Sequence, residues 1–311
     1  MKVVKSVAPY QHKVGINFKT QAYEAWLKVG GQVTKSHYPP RLLHGFFFCH
    51  ELPTIFKNKK EARLRFVEPV SISFDTFPDH AHYEIIPFIW DCWPCYFEKV
   101  VAWFRKHDVR TAIFTSSQTA ERMQKRLPEV NIMYCPEGID VKSYPAGAKL
   151  TERSNVLFEI GKGKRCFIKS NYEEEYKKLS KFPHDVLLES RHDYISALCN
   201  SQITVNFPQC DMVPEKTGGI ETLTQRFWES MLTRSIVVGR APQELIDLIG
   251  YNPVIEMDKE GPIEQIKNIS QNIGEYQEFV DRNRRTALYY APWEERMKRV
   301  LVWLESLGYI F

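Results

Sequence analysis

Short apolar runs alternate with helical spacing through the second half of the chain. Residues 155–160, 185–189, 203–207, 235–239 and 253–256 are compact and β-rich. Between them, apolar positions return at helical intervals over about 193–200 and 222–233. Strand-length runs separated by helix-length segments predict βαβ units and a parallel sheet. Right-handed crossovers then bring the strand C-termini to one edge, where open α/β sheets bind ligands.

The first half repeats the theme less cleanly. Residues 70–74, 84–90, 111–114 and 131–135 read as strands, and 96–107 carries a helical stripe through Val100, Val101, Trp103 and Phe104. Thr115-Ser116-Ser117 supplies an N-cap for a helix reaching about Arg126. The first 45 residues, interrupted by Gly30-Gly31 and Pro39-Pro40, give no clear pattern. Turn residues in 136–140 and 144–147 mark the domain junction. The expected division is 1–143, 144–290, and a final segment 291–311 whose helix, about 293–307, has an apolar stripe suited to core packing.

Composition narrows the class. With 311 residues, 43% hydrophobic and 26% charged, the chain has the make-up of a soluble two-domain globular protein. No run approaches the roughly 18 apolar residues of a membrane span, and the N-terminus lacks an apolar signal region, so a cytoplasmic location is expected. Seven scattered cysteines fit a reducing compartment. The lone CxxC, Cys92 to Cys95, with Cys49-His50 upstream, reads as small buried apolar residues rather than a zinc site.

Charge is uneven. Residues 1–145 hold 20 Lys+Arg against 14 Asp+Glu, and the remainder 22 against 24. The basic half suits an anionic partner, such as the inner face of a membrane or a lipid-phosphate acceptor; a merely solvated face accounts for it equally well. No basic block is interleaved with aromatics, so nucleic acid is not an expected partner.

The clearest candidate chemistry is Glu221 and Glu229, eight positions apart at the start of a helix. A helix N-terminus offers free N–H groups and a positive dipole end, which suit a diphosphate. Gly218-Gly219 lies just upstream, and Arg226 adds a guanidinium fork suited to phosphate oxygens. Taken alone, two glutamates at this spacing also describe a solvated helix face.

Glu221 to Gly239 resembles the E-x7-E signature of retaining GT-B glycosyltransferases. Further segments match in order. Trp90-Asp91-Cys92-Trp93-Pro94 is similar to the strand-end His-Asp-x-x-Pro of family-4-like enzymes, and Phe114-Thr115-Ser116 to their strand-Ser-helix element. Pro136-Glu137-Gly138-Ile139-Asp140, Pro242-Gln243-Glu244 and Pro292-Trp293-Glu294-Glu295-Arg296 resemble their Pro-Asn-Gly-Ile-Asp turn, Pro-x-Glu segment and final-helix opening. The match spans about 85–300, and its C-terminal part is closest to bacterial group 1 transferases of polysaccharide biosynthesis.

The resemblance implies an α/β GT-B architecture: two Rossmann-like domains with parallel sheets facing an interdomain cleft. It implies transfer of a sugar from a nucleotide-sugar donor to a hydroxyl of a glycan or lipid-linked acceptor, with retention. Glu221 would face the donor sugar and Glu229 the ribose. Lys162, Lys164 and Arg165 would join Arg226 at the diphosphate, with Gly219, Thr222 and Thr224 also on the donor side. The basic loop reads equally well as an exposed turn. Asp91 would line the acceptor side.

Two departures stand out. Thr222-Leu223-Thr224 replaces the family's Gly-Phe-Gly, and Trp90 replaces its His, with His80 and His82 nearby. No Asp-x-Asp occurs, so no metal or other cofactor is expected. Two other readings stay open: a GT-B nucleotide-sugar epimerase, and a degenerate protein that binds nucleotide sugar or glycan without turnover. A dinucleotide-dependent oxidoreductase is disfavoured, because no GxGxxG follows an early strand.

Overall fold

The computed structural model describes residues 1–9, 18–35, 57–159, 161, 165–182 and 190–311. They divide into two compact units. The first runs to Pro136 and takes in Trp293–Phe311; the second is Glu137–Pro292. The expected strand at 185–189 and the residues Lys162, Lys164 and Cys49-His50 lie outside the described residues.

The first unit is built on β1 (Lys2–Val7), β2 (Gln32–Thr34), β3 (Glu61–Val67), β4 (Glu84–Ile89), β5 (Thr111–Phe114), β6 (Asn131–Tyr134) and β11 (Tyr309–Ile310). The order is β11-β1-β3-β4-β5-β6, with β2 also on β1, and every pairing is parallel. Parallel sheets bury both faces, and the near-continuous apolar runs of β4 and β5 reflect this. Helices α1 (Phe18–Lys28) and α15 (Trp293–Ser306) contribute Trp26, Trp293, Met297 and Val300 to a core that includes Leu64, Phe66 and Phe88. Helices α4 (Pro94–Lys106) and α5 (Ser117–Arg126) bury Val100, Phe104 and Met123 in a second core with Ile85, Ile89 and Phe114. Pro94 opens α4, and the Ser116 hydroxyl accepts from the Thr119 N–H to cap α5.

Residues 70–74 are not a strand. Ile72–Thr76 forms a short helix, α2, followed by α3 (Asp79–His82). Local side-chain bonds favour the turn: Ser71 Oγ donates to Asp75 at 2.8 Å, and Thr76 Oγ1 to the Ile72 carbonyl at 2.6 Å. The neighbouring strand is β3, whose alternate positions are Glu61, Arg63 and Arg65. Both arginines are buried: Arg63 stacks 3.7 Å over the Tyr83 ring, and Arg65 pairs with Asp79 at 2.9 Å.

The second unit has a sheet in the order β10-β9-β8-β7, again all parallel. Its strands are β7 (Asn155–Glu159), β8 (Ser201–Asn206), β9 (Ile236–Gly239) and β10 (Ile255–Glu256). In chain order its helices are α6 (Phe167–Asn171), α7 (Glu173–Leu179), α8 (Arg191–Asn200), α9 (Gln209–Met212), α10 (Pro214–Thr217), α11 (Gln225–Leu232), α12 (Gln243–Ile249), α13 (Pro262–Gln271) and α14 (Gln277–Tyr290). One core gathers Tyr194, Leu198, Phe227, Trp228, Met231 and Leu245. The other gathers Leu157, Ile203, Val205, Ile236, Val238 and Ile266. At the N-terminal ends of the strands, buried Arg153 donates to the carbonyls of Ala148, Ser201 and Thr233 at 2.7–3.0 Å. Burial pushes its pKa down to about 10. At the opposite edge Gly239 closes β9 with φ +144°, and a Cβ there would lie 2.0 Å from the Asn206 carbonyl oxygen of β8.

Gly239→Ala adds backbone strain to a steric overlap, each worth about 1–3 kcal/mol. A loss of roughly 2–4 kcal/mol in unfolding free energy is expected by chemical denaturation.

Candidate functional site

The C-terminal edge of the second sheet collects the candidate chemistry. The chain leaves β8 at Phe207 and turns into α9; α11 begins after the loop 218–224. Thr224 occupies the N-cap of α11 in extended conformation, and its hydroxyl makes no capping bond. A small pocket forms there, lined by Arg165, Phe207, Gln209, Met212, Thr224 and Arg226. Two guanidinium groups thus meet at the N-terminus of an eight-residue helix. Arginine forks and helix N–H groups both favour an anion with several oxygens. Arg165, Thr224 and Arg226, three of the expected donor-side residues, line this pocket together.

Glu221 sits three residues before that N-cap and is already partnered. One carboxylate oxygen accepts from Arg240, and the other from the Gln243 N–H at 2.9 Å in the first turn of α12. The reverse bond also exists: Glu244 accepts from the Leu223 N–H at 2.9 Å. The loop and the start of α12 are therefore clamped reciprocally, each supplying a carboxylate to the other's backbone. Arg240 also grips Asp211 of α9 through two bonds of 2.6 Å. Burial works against the Asp211 charge, yet the Arg240 fork outweighs it and holds its pKa below the ordinary carboxylate value. Thr222 is buried beside the clamp, and its hydroxyl has no hydrogen-bond partner. Gly219 has φ +80°, and a Cβ there would meet nothing within 4 Å. That glycine serves the left-handed turn rather than a close approach.

Glu229 lies one helical turn deeper and is 1% exposed. Its two oxygens accept from the hydroxyls of Tyr144 and Tyr194, and Arg191 donates to Tyr144 at 2.9 Å. Burial, reinforced by the Glu229 charge, pushes the pKa of both phenols up, so they remain donors. The side chain is turned into the core in this structure rather than presented to a ligand.

Glu159, at the end of β7, was not singled out by sequence. It is buried, and its carboxylate accepts from the Ile168 and Lys169 N–H groups at 3.0 and 2.7 Å, in the first turn of α6. Burial pushes its pKa up from 4.5 to about 7, although the Lys169, Ile168 and Phe167 backbone bonds work the other way. The loop carrying Gly161 and Arg165 runs between the carboxylate and the helix it anchors. Neither glutamate spacing nor a motif marks it; only its position at a strand end does.

Asp91 belongs to the first unit, directly after β4, and holds a left-handed φ of 49°. Its carbonyl accepts from the Trp93 N–H at 2.8 Å, which turns the chain into α4. Trp90 is buried against Phe88 and Trp293, so the position that replaces the expected His is a core residue. His80 is buried too, beside His107 with ring centres 4.6 Å apart. Cys92 is buried, with its pKa pushed up to about 12, and Cys95 is exposed. Among the described residues no group of three His, Cys, Asp or Glu could hold a metal ion, and no helix is long and apolar enough to cross a membrane.

No protein-family model and no curated protein matches the chain. Solved structures do. A sucrose-phosphate synthase from Thermosynechococcus elongatus aligns with a TM-score of 0.60 at 11% identity, over 99% of both chains. AviGT4, a glycosyltransferase involved in avilamycin A biosynthesis, aligns at 0.53 and 10% identity, over 99% of this chain and 98% of that one. This is the GT-B fold. TarM aligns at 0.51 and 13% identity, over 79% of this chain, which spans 54% of TarM's length.

On a GT-B fold the second unit's pocket lies where ligands of open parallel sheets bind. Asp91 occupies the same kind of edge in the other unit, after β4.

Two measurements follow. Tyr194→Phe leaves a buried carboxylate short of a donor and is expected to cost about 1–3 kcal/mol in denaturant unfolding. Glu159 binds its proton more tightly folded than unfolded, so its own contribution to stability is fully present below pH 4.5 and is lost as pH rises through about 7. Glu159→Gln is expected to flatten that segment. The wild-type-minus-variant stability difference should fall by about 3 kcal/mol between pH 4 and pH 8 in paired denaturant titrations.

Proposed function

We propose that this chain is a glycosyltransferase taking its sugar from a nucleoside-diphosphate-sugar donor. The observation that carries the reading is the pairing of Arg165 and Arg226 at the uncapped N-terminus of α11. In glycosyl transfer the leaving diphosphate gains negative charge on its bridging oxygen. Fixed guanidinium groups and helix N–H groups stabilise that charge without reorganising. Lys162 and Lys164, which precede Arg165 in the sequence, are assigned to the diphosphate with them.

Glu221 faces the donor sugar. The clamp fixes its carboxylate, so it accepts hydrogen bonds and offsets oxocarbenium charge rather than attacking as a nucleophile. Thr222 and Gly219 belong to the same donor-side loop. Glu229 is assigned to the ribose side, where it acts through Tyr144 and Tyr194 while its carboxylate is turned inward. Asp91 serves the acceptor. The anomeric configuration is retained, and the product enters a bacterial polysaccharide, O-antigen or glycolipid, made at the cytoplasmic face of the membrane. The arginines take the place of a divalent cation, so transfer persists in EDTA.

A second reading is nucleotide-sugar binding without turnover. One observation favours it: the carboxylates of Glu221 and Glu229 both have partners already.

Thermal melting with UDP, GDP, ADP, CMP and their sugar conjugates tests the proposal. One nucleoside diphosphate at about 100 times its Kd is expected to stabilise the chain by about 2.7 kcal/mol. Arg226→Ala should weaken that ligand by roughly ten- to a hundredfold. No shift with any nucleotide sinks both readings. A shift without release of nucleoside diphosphate, whatever the acceptor, decides for binding alone.

A further inference from the structure

Resting on the donor reading above, we infer that this site selects an uncharged donor sugar and rejects a hexuronic acid. The basis is the distribution of charge along the sheet edge. The pocket at the start of α11 is lined by two guanidinium groups, Arg165 and Arg226. The adjoining cluster of Asp211, Arg240 and Glu221 sets two carboxylates against one guanidinium. Pocket and cluster share their walls. Gln209 and Met212 of α9 line the pocket, while Asp211, between them, pairs with Arg240. Glu221 leads directly into Thr224 and Arg226.

The edge is therefore polarised, cationic where the anion binds and anionic in the next space. A nucleoside-diphosphate sugar has the matching polarity only when its sugar is neutral. The diphosphate takes the arginines, and the sugar's hydroxyls face the Glu221 and Asp211 carboxylates. Arg240 is not available to recruit a sugar carboxylate, because its fork is taken by Asp211 and its remaining arm by Glu221. The hydrogen bonds that Arg240 donates to Asp211, outweighing burial, and to Glu221 hold its pKa above the ordinary arginine value. A hexuronate would bring a second anion towards two fixed carboxylates, and like charges at close range are disfavoured.

Asp211 and Arg240 are thus specificity residues that act by setting the charge around Glu221. Calorimetric titration of the full chain tests this with matched pairs: UDP-glucose against UDP-glucuronate, and GDP-mannose against GDP-mannuronate, with UDP and GDP alone as references. For the nucleotide that binds, the neutral sugar should bind at least about tenfold more tightly than its uronate, or about 1.4 kcal/mol. Asp211→Asn, checked for an unchanged melting temperature, should narrow the gap to within about threefold. Equal binding of the wild type to both sugars, or a preference for the uronate, overturns the inference while the donor reading stands. If none of UDP, GDP, ADP and CMP binds, the donor reading falls and the inference with it.

Discussion

Parallel pairing of every strand in both sheets is the constraint on which the other features depend. A parallel strand cannot turn back on itself, so each is followed by a crossover, and every crossover leaves from the same edge. That edge necessarily collects loop backbones, helix N-termini and the polar side chains that satisfy them. The opposite edge has another task. There Arg153 gathers three carbonyls at the strand beginnings and carries no candidate chemistry. Packing and chemistry are thereby separated by the direction of the strands.

At the active edge of the second unit, carboxylates meet helix N–H groups repeatedly. Glu159 holds the first turn of α6, Glu221 that of α12, and Glu244 the loop that bears Glu221. The bonds of Glu159 and Glu221 satisfy backbone donors that a helix start leaves without a partner, and that of Glu244 a donor in the loop. The arrangement also fixes the loop between them to a single geometry, which a site for a charged leaving group needs. The start of α11 differs. Its N-cap threonine makes no such bond, and arginines gather there instead.

Much of this was legible in the sequence, and the exceptions share a cause. Strands with uninterrupted apolar runs, such as β5, β8 and β9, read directly. β3 did not, because Arg63 and Arg65 look like solvent positions until Tyr83 and Asp79 are seen to meet them. Residues 70–74 misled in the opposite sense: an apolar composition suggested a strand, while Ser71 and Thr76 spend their hydroxyls on helical turns. At the site, Arg165, Thr224 and Arg226 were found by position along the chain. Glu159, Asp211 and Arg240 were not, since their importance lies in partners 9 to 29 residues away. The inward turn of Glu229 depends on Tyr144 and Tyr194, which no spacing rule connects to it.

The first unit is discontinuous in the chain, and that orders its assembly in time. β11 and α15 come from residues 293–310, after the whole of the second unit, and β11 pairs with β1 at Lys2 and Val3. During synthesis the whole of Glu137–Pro292 has emerged while the first unit still lacks a strand and the helix carrying Trp293 and Met297. The N-terminal sheet must wait on the ribosome with Lys2 and Val3 of β1 short of their β11 partners and part of its core uncovered. Its closing contacts join Lys2 and Val3 to Tyr309 and Ile310, pairs far apart in sequence of the kind that form slowly. Chain order and folding order therefore run in opposite directions: the unit made first is the unit finished last.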